Sequence, residues 1–195
     1  MKNRFSRLGL VTAVAIWIAS PPPAAAQDVA YAVAMPHLTG GLLHVTMEID
    51  DAPGDTLDVA MPAWSPGGYG LHWASKNVQE LWAEDGDGQP LDAVQVDTSR
   101  WRIRPAAPTV RVHYKVYVGP RSMDDSFVRI SGTRSLMYVV GDSPYPADGP
   151  VTIAVDAPEG WTFATGLTAT GPGIFTAPDY DTLIDSPIDV AEHLD

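Results

Sequence analysis

Cysteine is absent from this 195-residue chain, and basic residues are scarce. Without cysteine the protein forms neither disulfides nor thiolate metal sites. Lysine and arginine total 12 against 24 aspartate and glutamate residues, so the formal charge is −12 at pH 7. A field of this sign repels phosphate backbones and anionic lipid. We therefore expect no nucleic-acid partner.

Long apolar runs are also missing, apart from one near the N-terminus at positions 8–19. Lys2, Arg4 and Arg7 precede this run, and prolines and alanines ending at Ala26 follow it. This order is typical of a secretory signal peptide, here residues 1–26. The run is short for a membrane span, which takes about 20 residues, although a retained N-terminal anchor is the alternative. We expect a secreted or periplasmic protein with no membrane span after cleavage.

Familiar catalytic motifs are missing. No two of the five histidines stand four residues apart, so the two-histidine zinc helix is absent. Neither a Gly-x-Ser-x-Gly elbow nor a Gly-x-x-x-x-Gly-Lys phosphate loop occurs. "EDGDGQ" (84–89) has the start of a calcium loop without its third oxygen ligand or distal glutamate, which favours a hairpin turn. The sequence predicts no catalytic residue, metal ion or cofactor within this chain.

Short strand patterns separated by glycine- and proline-rich turns fill the rest of the chain. In residues 109–119, valines and Tyr114 alternate with Arg111, His113 and Lys115. One short helical turn is predicted at 180–185. The pattern, with roughly ten strands, predicts an all-β fold, an antiparallel β-sandwich with Pro/Gly-rich loops. The strand patterns occupy residues 29–35, 42–50, 56–61, 78–85, 90–97, 100–105, 109–119, 135–141, 151–158, 161–166 and 173–178.

Several side chains in these patterns admit more than one interpretation. His113 lies on the polar face of its strand, so we expect it to be exposed to solvent. Asp124 and Asp125 in "MDDSF" (123–127) form a solvated turn or, if their loop faces a cleft, a functional pair. Three tryptophans lie within strand patterns, and we expect them to pack in the core rather than to bind a ligand: Trp82, Trp101 and Trp161.

The stretch "MPAWSPGGYGLH" (61–72) fits neither a regular strand nor an ordinary solvated loop. Its prolines and glycines allow a tight, irregular path, and Trp64, Tyr69, His72 and the following Trp73 supply ring-bearing side chains. One interpretation is a plug that folds onto the core at one end of the sandwich. The other is a loop that covers a partner surface or a substrate cleft. The residues alone leave both open.

"MPAWSPGGYGLHWASKNV" (61–78) resembles the hallmark segment of the N-terminal domain of the glycyl aminopeptidase family of metallopeptidases, peptidase family 61. Ser65 and Lys76 are conservative variants of the motif, and its Arg-acidic pair is replaced by His72 and Trp73. The matching residues are Met61, Pro62, Trp64, Pro66, Gly67, Tyr69 and Val78. Three further blocks agree in order: "GQPLDAVQVDTSRWRI", "VRVHYKVYV", and "DAPEGWTFATGL" followed by "FTAPDYDTLIDSPIDV". Together they cover nearly all of the mature chain.

The resemblance implies a β-rich N-terminal domain at 27–187, with 188–195 as the start of a linker toward a catalytic domain that this chain lacks. That domain, in cis, would carry the zinc and bind the peptide substrate. This chain alone would be non-catalytic and would shape the substrate cleft for peptide N-termini. The candidate cleft or interface residues are Trp64, Tyr69, His72, Trp73, Asp124, Asp125 and Arg129.

Two other classes of function remain as alternatives. One is a free-standing secreted module that binds carbohydrate or peptide on Trp64, Tyr69 and Trp73. The other is an envelope-assembly module that binds another protein through an edge strand.

Overall fold

The computed structural model describes residues 28–63, 71–141 and 149–193. The predicted signal peptide at 1–26 lies outside these ranges. Two α-helices are described, α1 (Gly132–Ser135) and α2 (Tyr180–Asp185), together with 3-10 turns at Leu38–Gly40 and Ala74–Asn77. The described strands are β1 (Val29–Ala34), β2 (Leu42–Ile49), β3 (Leu57–Ala60), β4 (Val78–Asp85), β5 (Pro90–Leu91), β6 (Ala93–Asp97), β7 (Arg100–Ile103), β8 (Val110–Tyr117), β9 (Phe127–Ile130), β10 (Tyr138–Val139), β11 (Val151–Asp156), β12 (Thr162–Ala164), β13 (Thr168–Gly171), β14 (Ile174–Ala177) and β15 (Ile188–Ala191).

These strands form three sheets. The largest has eight strands in the order β13-β14-β11-β1-β2-β8-β4-β5, the second has the order β10-β3-β7-β6, and the third has the order β12-β15-β9. Neighbouring strands are antiparallel with one exception among the described pairs: β1 runs parallel to β11, so that Val29 lies opposite Val151. The all-β prediction is confirmed, and the parallel pair is an addition to it.

One hydrophobic core joins the three sheets. In β8 the predicted alternation is confirmed, since Val110, Val112, Tyr114 and Val116 are buried while the residues between them are partly exposed. The second sheet contributes Leu57, Val59, Trp101 and Ile103, and the third contributes Val128, Ile130, Ile188 and Val190. On the opposite face of the eight-stranded sheet, the described residues of β1, β2, β8 and β11 are partly or fully exposed.

The structure corrects the prediction for Trp82, whose side chain is 48% exposed instead of buried. A bulge in β4 shifts the register between Gln79 and Trp82, and Glu80 has a left-handed φ of 50°. The extra residue turns Trp82 to the outer face of the sheet. Trp101 is buried as expected, and Trp161 packs against the core while only partly buried.

The structure also corrects the prediction for His113, whose side chain is less exposed to solvent than expected. The indole of Trp82 covers its ring, with the centroids 4.0 Å apart and the planes 12° from parallel. His113 therefore has a half-buried side chain in place of a solvated one.

At the C-terminal end, the boundary predicted at residue 187 falls just before β15. Residues Ile188–Ala191 pair with β9 on one side and with β12 on the other. They belong to the sheet, so the β-rich domain extends past the predicted start of the linker. The helical turn predicted at 180–185 is α2, and the Asp179 carboxylate caps it by accepting a hydrogen bond from the Thr182 amide at 2.7 Å.

Candidate functional site

Two predicted site segments lie at one end of the eight-stranded sheet, where β8 finishes. Tyr117 of β8 lies opposite Leu42, and Val116 lies opposite Val78, the first residue of β4. The Ala74–Asn77 turn that leads into β4 and the loop at 119–126 that leaves β8 therefore both lie at this end. Helix α1 also contacts the Ala74–Asn77 turn. We call this region, comprising 61–63, 71–77, 119–126 and 131–137, the loop end.

The loop at 61–73 is described only at its base. Met61 and Pro62 are buried, and the His72 amide donates a hydrogen bond to the Ala63 carbonyl at 2.6 Å, which closes the base. Trp64 and Tyr69 lie outside the described residues. Leu71 is 65% exposed and Trp73 is 42% exposed. The described part of this loop therefore begins in the core and ends with two exposed apolar side chains.

The Asp124 carboxylate organises the turn that contains it. Its Oδ1 accepts hydrogen bonds from the Ser126 amide, the Ser126 hydroxyl and the Phe127 amide, all at 2.9 Å. The hydrogen bonds from Ser126, backbone first, lower the pKa of Asp124. Asp125 is exposed at the tip of the same turn. The two carboxylates thus differ: one holds the turn and the other faces solvent.

Arg129 lies on the outer side of β9 and forms an ion pair with Asp189 of β15. Its Nε donates to Asp189 Oδ1 at 2.7 Å, and its Nη2 donates to Oδ2 at 2.6 Å. These hydrogen bonds, more than the charge alone, raise the pKa of Arg129. The guanidinium also lies 5.7 Å from the centroid of the Phe127 ring. Its position is therefore set within the third sheet.

Three buried tyrosines fix the backbone of the loop end. Tyr114 donates to the Ser135 carbonyl at 2.9 Å and accepts from the Met137 amide at 3.0 Å. Tyr180 donates to the Leu136 carbonyl at 2.8 Å, and Tyr31 donates to the Met137 carbonyl. Three consecutive carbonyls that leave α1 are thus satisfied by phenols from three distant elements. Burial, above all, raises the pKa of Tyr31, Tyr114 and Tyr180.

Helix α1 also packs against α2 at close range. A Cβ atom at Gly132 would lie 2.8 Å from the Ile184 Cα. Only glycine fits at this contact without moving the backbone. The loop end is therefore anchored to the segment that leads into β15.

The described residues offer no metal site. No group of three or more His, Asp or Glu side chains within residues 28–63, 71–141 and 149–193 is arranged to hold a metal ion. The expected place of zinc in a catalytic domain stays a prediction. Nor does any helix of the described ranges have the length and apolarity to cross a membrane.

The structure therefore gathers the predicted residues into two groups. His72 and Trp73 directly precede the Ala74–Asn77 turn, whereas Asp124 and Asp125 lie in the loop at 119–126 and Arg129 lies in β9. Strand β15 finishes at Ala191 opposite Phe127, so the Asp124–Asp125 turn lies beside the point where the chain leaves the sheet. The described residues thus define a β-sandwich domain whose loops gather at one end.

The sequence matches the Peptidase M61 N-terminal domain over residues 30–192, and the chain belongs to this family. The family resemblance seen in the motif at 61–78 is thereby confirmed. No curated protein gives a significant match.

Among solved structures, an aminopeptidase N family protein from Idiomarina loihiensis has 29% sequence identity and a TM-score of 0.76. The alignment covers 84% of this chain and 29% of that protein. An M1 zinc metallopeptidase from Deinococcus radiodurans has 15% identity and a TM-score of 0.45, with 85% and 42% of the two chains covered. The chain thus spans less than a third of the Idiomarina protein.

Proposed function

We propose that this chain is the non-catalytic N-terminal domain of an exported zinc aminopeptidase, packing on the catalytic domain and shaping the substrate cleft for peptide N-termini. The observation that carries the proposal is the family match over residues 30–192. The similarity to a much longer aminopeptidase N family protein supports it, since this chain corresponds to 29% of that protein. Zinc and the reacting groups belong to the catalytic domain, joined in cis after β15.

The loop end supplies a surface suited to that contact. Leu71 and Trp73 expose apolar area beside the turn that begins β4. Exposed aromatic and aliphatic side chains that lie together are typical of the central part of a protein interface. The exit of β15 beside the Asp124–Asp125 turn places the start of any downstream segment close to the same region.

Asp125 is the candidate for contact with the substrate's α-amino group. A carboxylate and an ammonium group form a charge-assisted hydrogen bond, and a free peptide N-terminus supplies the ammonium. Asp124 is engaged by three hydrogen bonds within its own turn, whereas Asp125 is exposed. Arg129 is engaged by Asp189. In this proposal Asp124 and Arg129 position the turn, and Asp125 faces the cleft.

The first experiment compares this chain alone with the same chain followed by a catalytic domain. Hydrolysis of short peptides with free N-termini is measured for both, with and without a zinc chelator. We expect activity, sensitive to the chelator, only when the catalytic domain is present. Peptidase activity of the isolated chain would contradict its non-catalytic role.

The second experiment tests the loop end in the two-domain protein. Asp125→Asn is expected to raise KM for peptides with free N-termini and to leave KM for N-acetylated peptides unchanged. Trp73→Ala is expected to weaken the contact between the two domains and so to lower the unfolding midpoint. The matched control is Asp87→Asn, an exposed aspartate in the hairpin between β4 and β5 at the other end of β8. If Asp125→Asn and Asp87→Asn behave alike, Asp125 does not face the substrate.

The exposure of Trp73 also supports a second candidate function. In this alternative the protein is a free-standing module that binds carbohydrate or peptide on Trp64, Tyr69 and Trp73. A ligand platform needs open ring faces, and Trp73 is 42% exposed. Fluorescence quenching of the intact chain and a Trp73→Phe variant measures this exposure. Ligand binding that protects Trp73 from the quencher, in a protein with no catalytic domain, would favour the module.

A further inference from the structure

A row of outward-facing residues crosses the open face of the eight-stranded sheet. Each member lies directly opposite the next on the neighbouring strand. The row, which we call the transverse row, consists of Trp82, His113, Thr46, Ala32, Ala154 and Ile174. It spans six strands and five gaps of about 4.8 Å, hence about 24 Å. Trp82 and Ile174, at its two ends, are among the exposed large apolar residues of the protein.

The middle of the transverse row forms the floor of a groove of about 410 Å³. Its floor is made of small side chains, since Ala32, Ala34 and Ala154 line it together with the Gly173 backbone. Ile174 borders one side, and His44 and Thr46 border the other. Alternating alanines on an outer face leave room for a ligand that larger side chains would fill.

Trp82 forms a rigid, flat platform at one end of this row. One face of its indole lies on the His113 ring at 4.0 Å and nearly parallel to it, and the side chain is nevertheless 48% exposed. His113 is fixed in turn, because its Nδ1 lies 3.0 Å from Thr46 Oγ1 and its Nε2 lies 3.3 Å from Glu84 Oε1. A ring fixed in this way loses little entropy when a ligand stacks on it.

The strained bulge at Glu80 is the reason for this orientation. Glu80 has a φ of 50°, which is uncommon for a residue that is not glycine. Regular alternation would have turned Trp82 toward the core. The strained residue thus lies two positions before an exposed tryptophan, and strained backbone positions cluster at active and ligand-binding sites.

The charged groups around the platform are paired with one another. Arg111 Nε lies 2.5 Å from Glu48 Oε2, Lys115 pairs with Glu80, and Glu84 with His113. Burial, followed by the charge of Lys115, lowers the pKa of His44, which leaves a neutral imidazole with one donor and one acceptor at neutral pH. The acidic chain as a whole repels polyanions. The charges beside Trp82 are thus engaged in pairs, and in the groove the Asp156 carboxylate is an acceptor for hydroxyl groups, so the surface suits an uncharged, hydroxyl-rich ligand.

A peptide strand is a poorer fit to this row. Peptides bind sheets by pairing with the free backbone groups of an edge strand. A ligand along the transverse row crosses β11, β1, β2 and β8, whose backbone groups are already paired on both sides. Recognition there has to come from side-chain stacking and hydroxyl hydrogen bonds.

We propose that the transverse row binds a linear, uncharged oligosaccharide, with one sugar ring stacked on the outer face of Trp82 and the chain running over Ala32 and Ala154 toward Ile174. The apolar C–H face of a pyranose packs on the indole ring. His44 and Asp156, which both line the groove, are the hydrogen-bonding partners for its hydroxyls. This proposal does not rest on the peptidase assignment.

The test is calorimetric titration of the intact chain with four uncharged hexasaccharides: cellohexaose, xylohexaose, maltohexaose and N-acetyl chitohexaose. At least one is expected to bind with 1:1 stoichiometry and to change the tryptophan fluorescence. Trp82→Ala should weaken that binding by about tenfold or more, the size expected for loss of an aromatic stacking contact. Trp82→Tyr, which keeps a flat ring, should restore part of it.

Two further variants separate the groove from general effects. Ala32→Gln places a longer side chain on the exposed floor without touching the core, and is expected to weaken binding by about fivefold. Val94→Ala removes an exposed apolar side chain from β6 in the second sheet and should leave the affinity unchanged. Circular dichroism of each variant checks that the fold is intact.

Three results would overturn the proposal. The first is no binding of any of the four sugars at millimolar concentration. The second is unchanged affinity in a folded Trp82→Ala variant. The third is tighter, salt-sensitive binding of hexalysine than of any neutral sugar, which would identify the face as a site for cationic chains.

Discussion

Arg129 and Asp189 join β9 to β15 through two parallel hydrogen bonds of 2.7 and 2.6 Å. This pair links β9, which lies between two segments of the loop end, to β15, the last strand described. Both groups are accessible to solvent, with 52% of the Arg129 side chain exposed. The pair therefore contributes more to geometry than to stability.

Arg129→Gln is expected to lower the free energy of unfolding by only about 0.2–1 kcal/mol, the usual range for an exposed ion pair. A double-mutant cycle with Asp189→Asn, measured by urea unfolding at low and high salt, gives the coupling energy. The coupling should shrink at high salt. A coupling that exceeds this range and does not depend on salt would mean that the pair is far better shielded than its exposure indicates.

Tyr114→Phe should lower the free energy of unfolding more than Arg129→Gln does. The change leaves the Ser135 carbonyl and the Met137 amide without a partner in the core, at a cost of about 1–3 kcal/mol. Hydrogen exchange should accelerate at Met137. Tyr117→Phe is the matched control, because Tyr117 is exposed. Equal stability of the two variants would show that the loop end does not depend on the buried phenol.

Gly132→Ala tests the contact between α1 and α2. The new Cβ would meet the Ile184 backbone at 2.8 Å, so one helix has to move. We expect a loss of about 1–3 kcal/mol, as for other overpacked sites. Gly54→Ala, where no atom lies within 4 Å of the new Cβ, should be nearly neutral in the same thermal denaturation experiment.

The buried tyrosines also predict how the protein responds to alkali. Burial raises the pKa of Tyr31, Tyr114 and Tyr180 above the ordinary value of 10.0. Between that value and the folded pKa, the unfolded chain releases protons that the folded chain retains, so stability falls as pH rises above 10. Ultraviolet absorbance should show these three of the seven tyrosines ionising only together with loss of the near-ultraviolet dichroism. Reversible ionisation of all seven in the folded protein would contradict their burial.

The Asp124 carboxylate predicts a loss of stability in acid, in contrast to the loss in alkali that the tyrosines predict. Its pKa is lowered by the hydrogen bonds from Ser126, so its contribution is present above the ordinary value of 3.8 and is lost as pH falls through the folded pKa. Asp124→Ala should reduce the steepness of the acid limb of the stability profile. Asp125→Ala, in the same exposed turn, is the matched control. If the two variants give the same profile, the turn does not rely on Asp124.

The strands that could be predicted with their buried face are the long ones that expose one face to solvent. β2 and β8 alternate over eight residues each, and burial of one face sets that alternation. β9, "FVRI", directly follows a polar turn and was missed, although strands of equal length such as β3 and β7 were predicted. Within their sheet, β9 and β15 pair only with strands distant in sequence, so no local turn signal marks either of them.

The candidate residues show which side-chain positions cannot be predicted from the alternation of apolar and polar residues in the sequence. The prediction that Trp82 is buried was wrong because a single extra residue at Glu80 reverses the direction of every side chain after it in β4. The three tyrosines that fix the loop end were missed because nothing local relates Tyr31, Tyr114 and Tyr180 to the carbonyls of 135–137. Such contacts exist only once the sheets have assembled. The interface roles of His72, Trp73 and Asp125 stay predictions.

The parallel pairing of β1 with β11 has a consequence for the order of folding. β1 is held between β2 and β11, and Val29 meets Val151 only after most of the domain has been synthesised. Until then, the N-terminal strand has one side unpaired, and contacts between residues so distant in sequence form slowly. The first strand of the domain therefore stays an open edge until the distant β11 arrives, and the eight-stranded sheet is completed late.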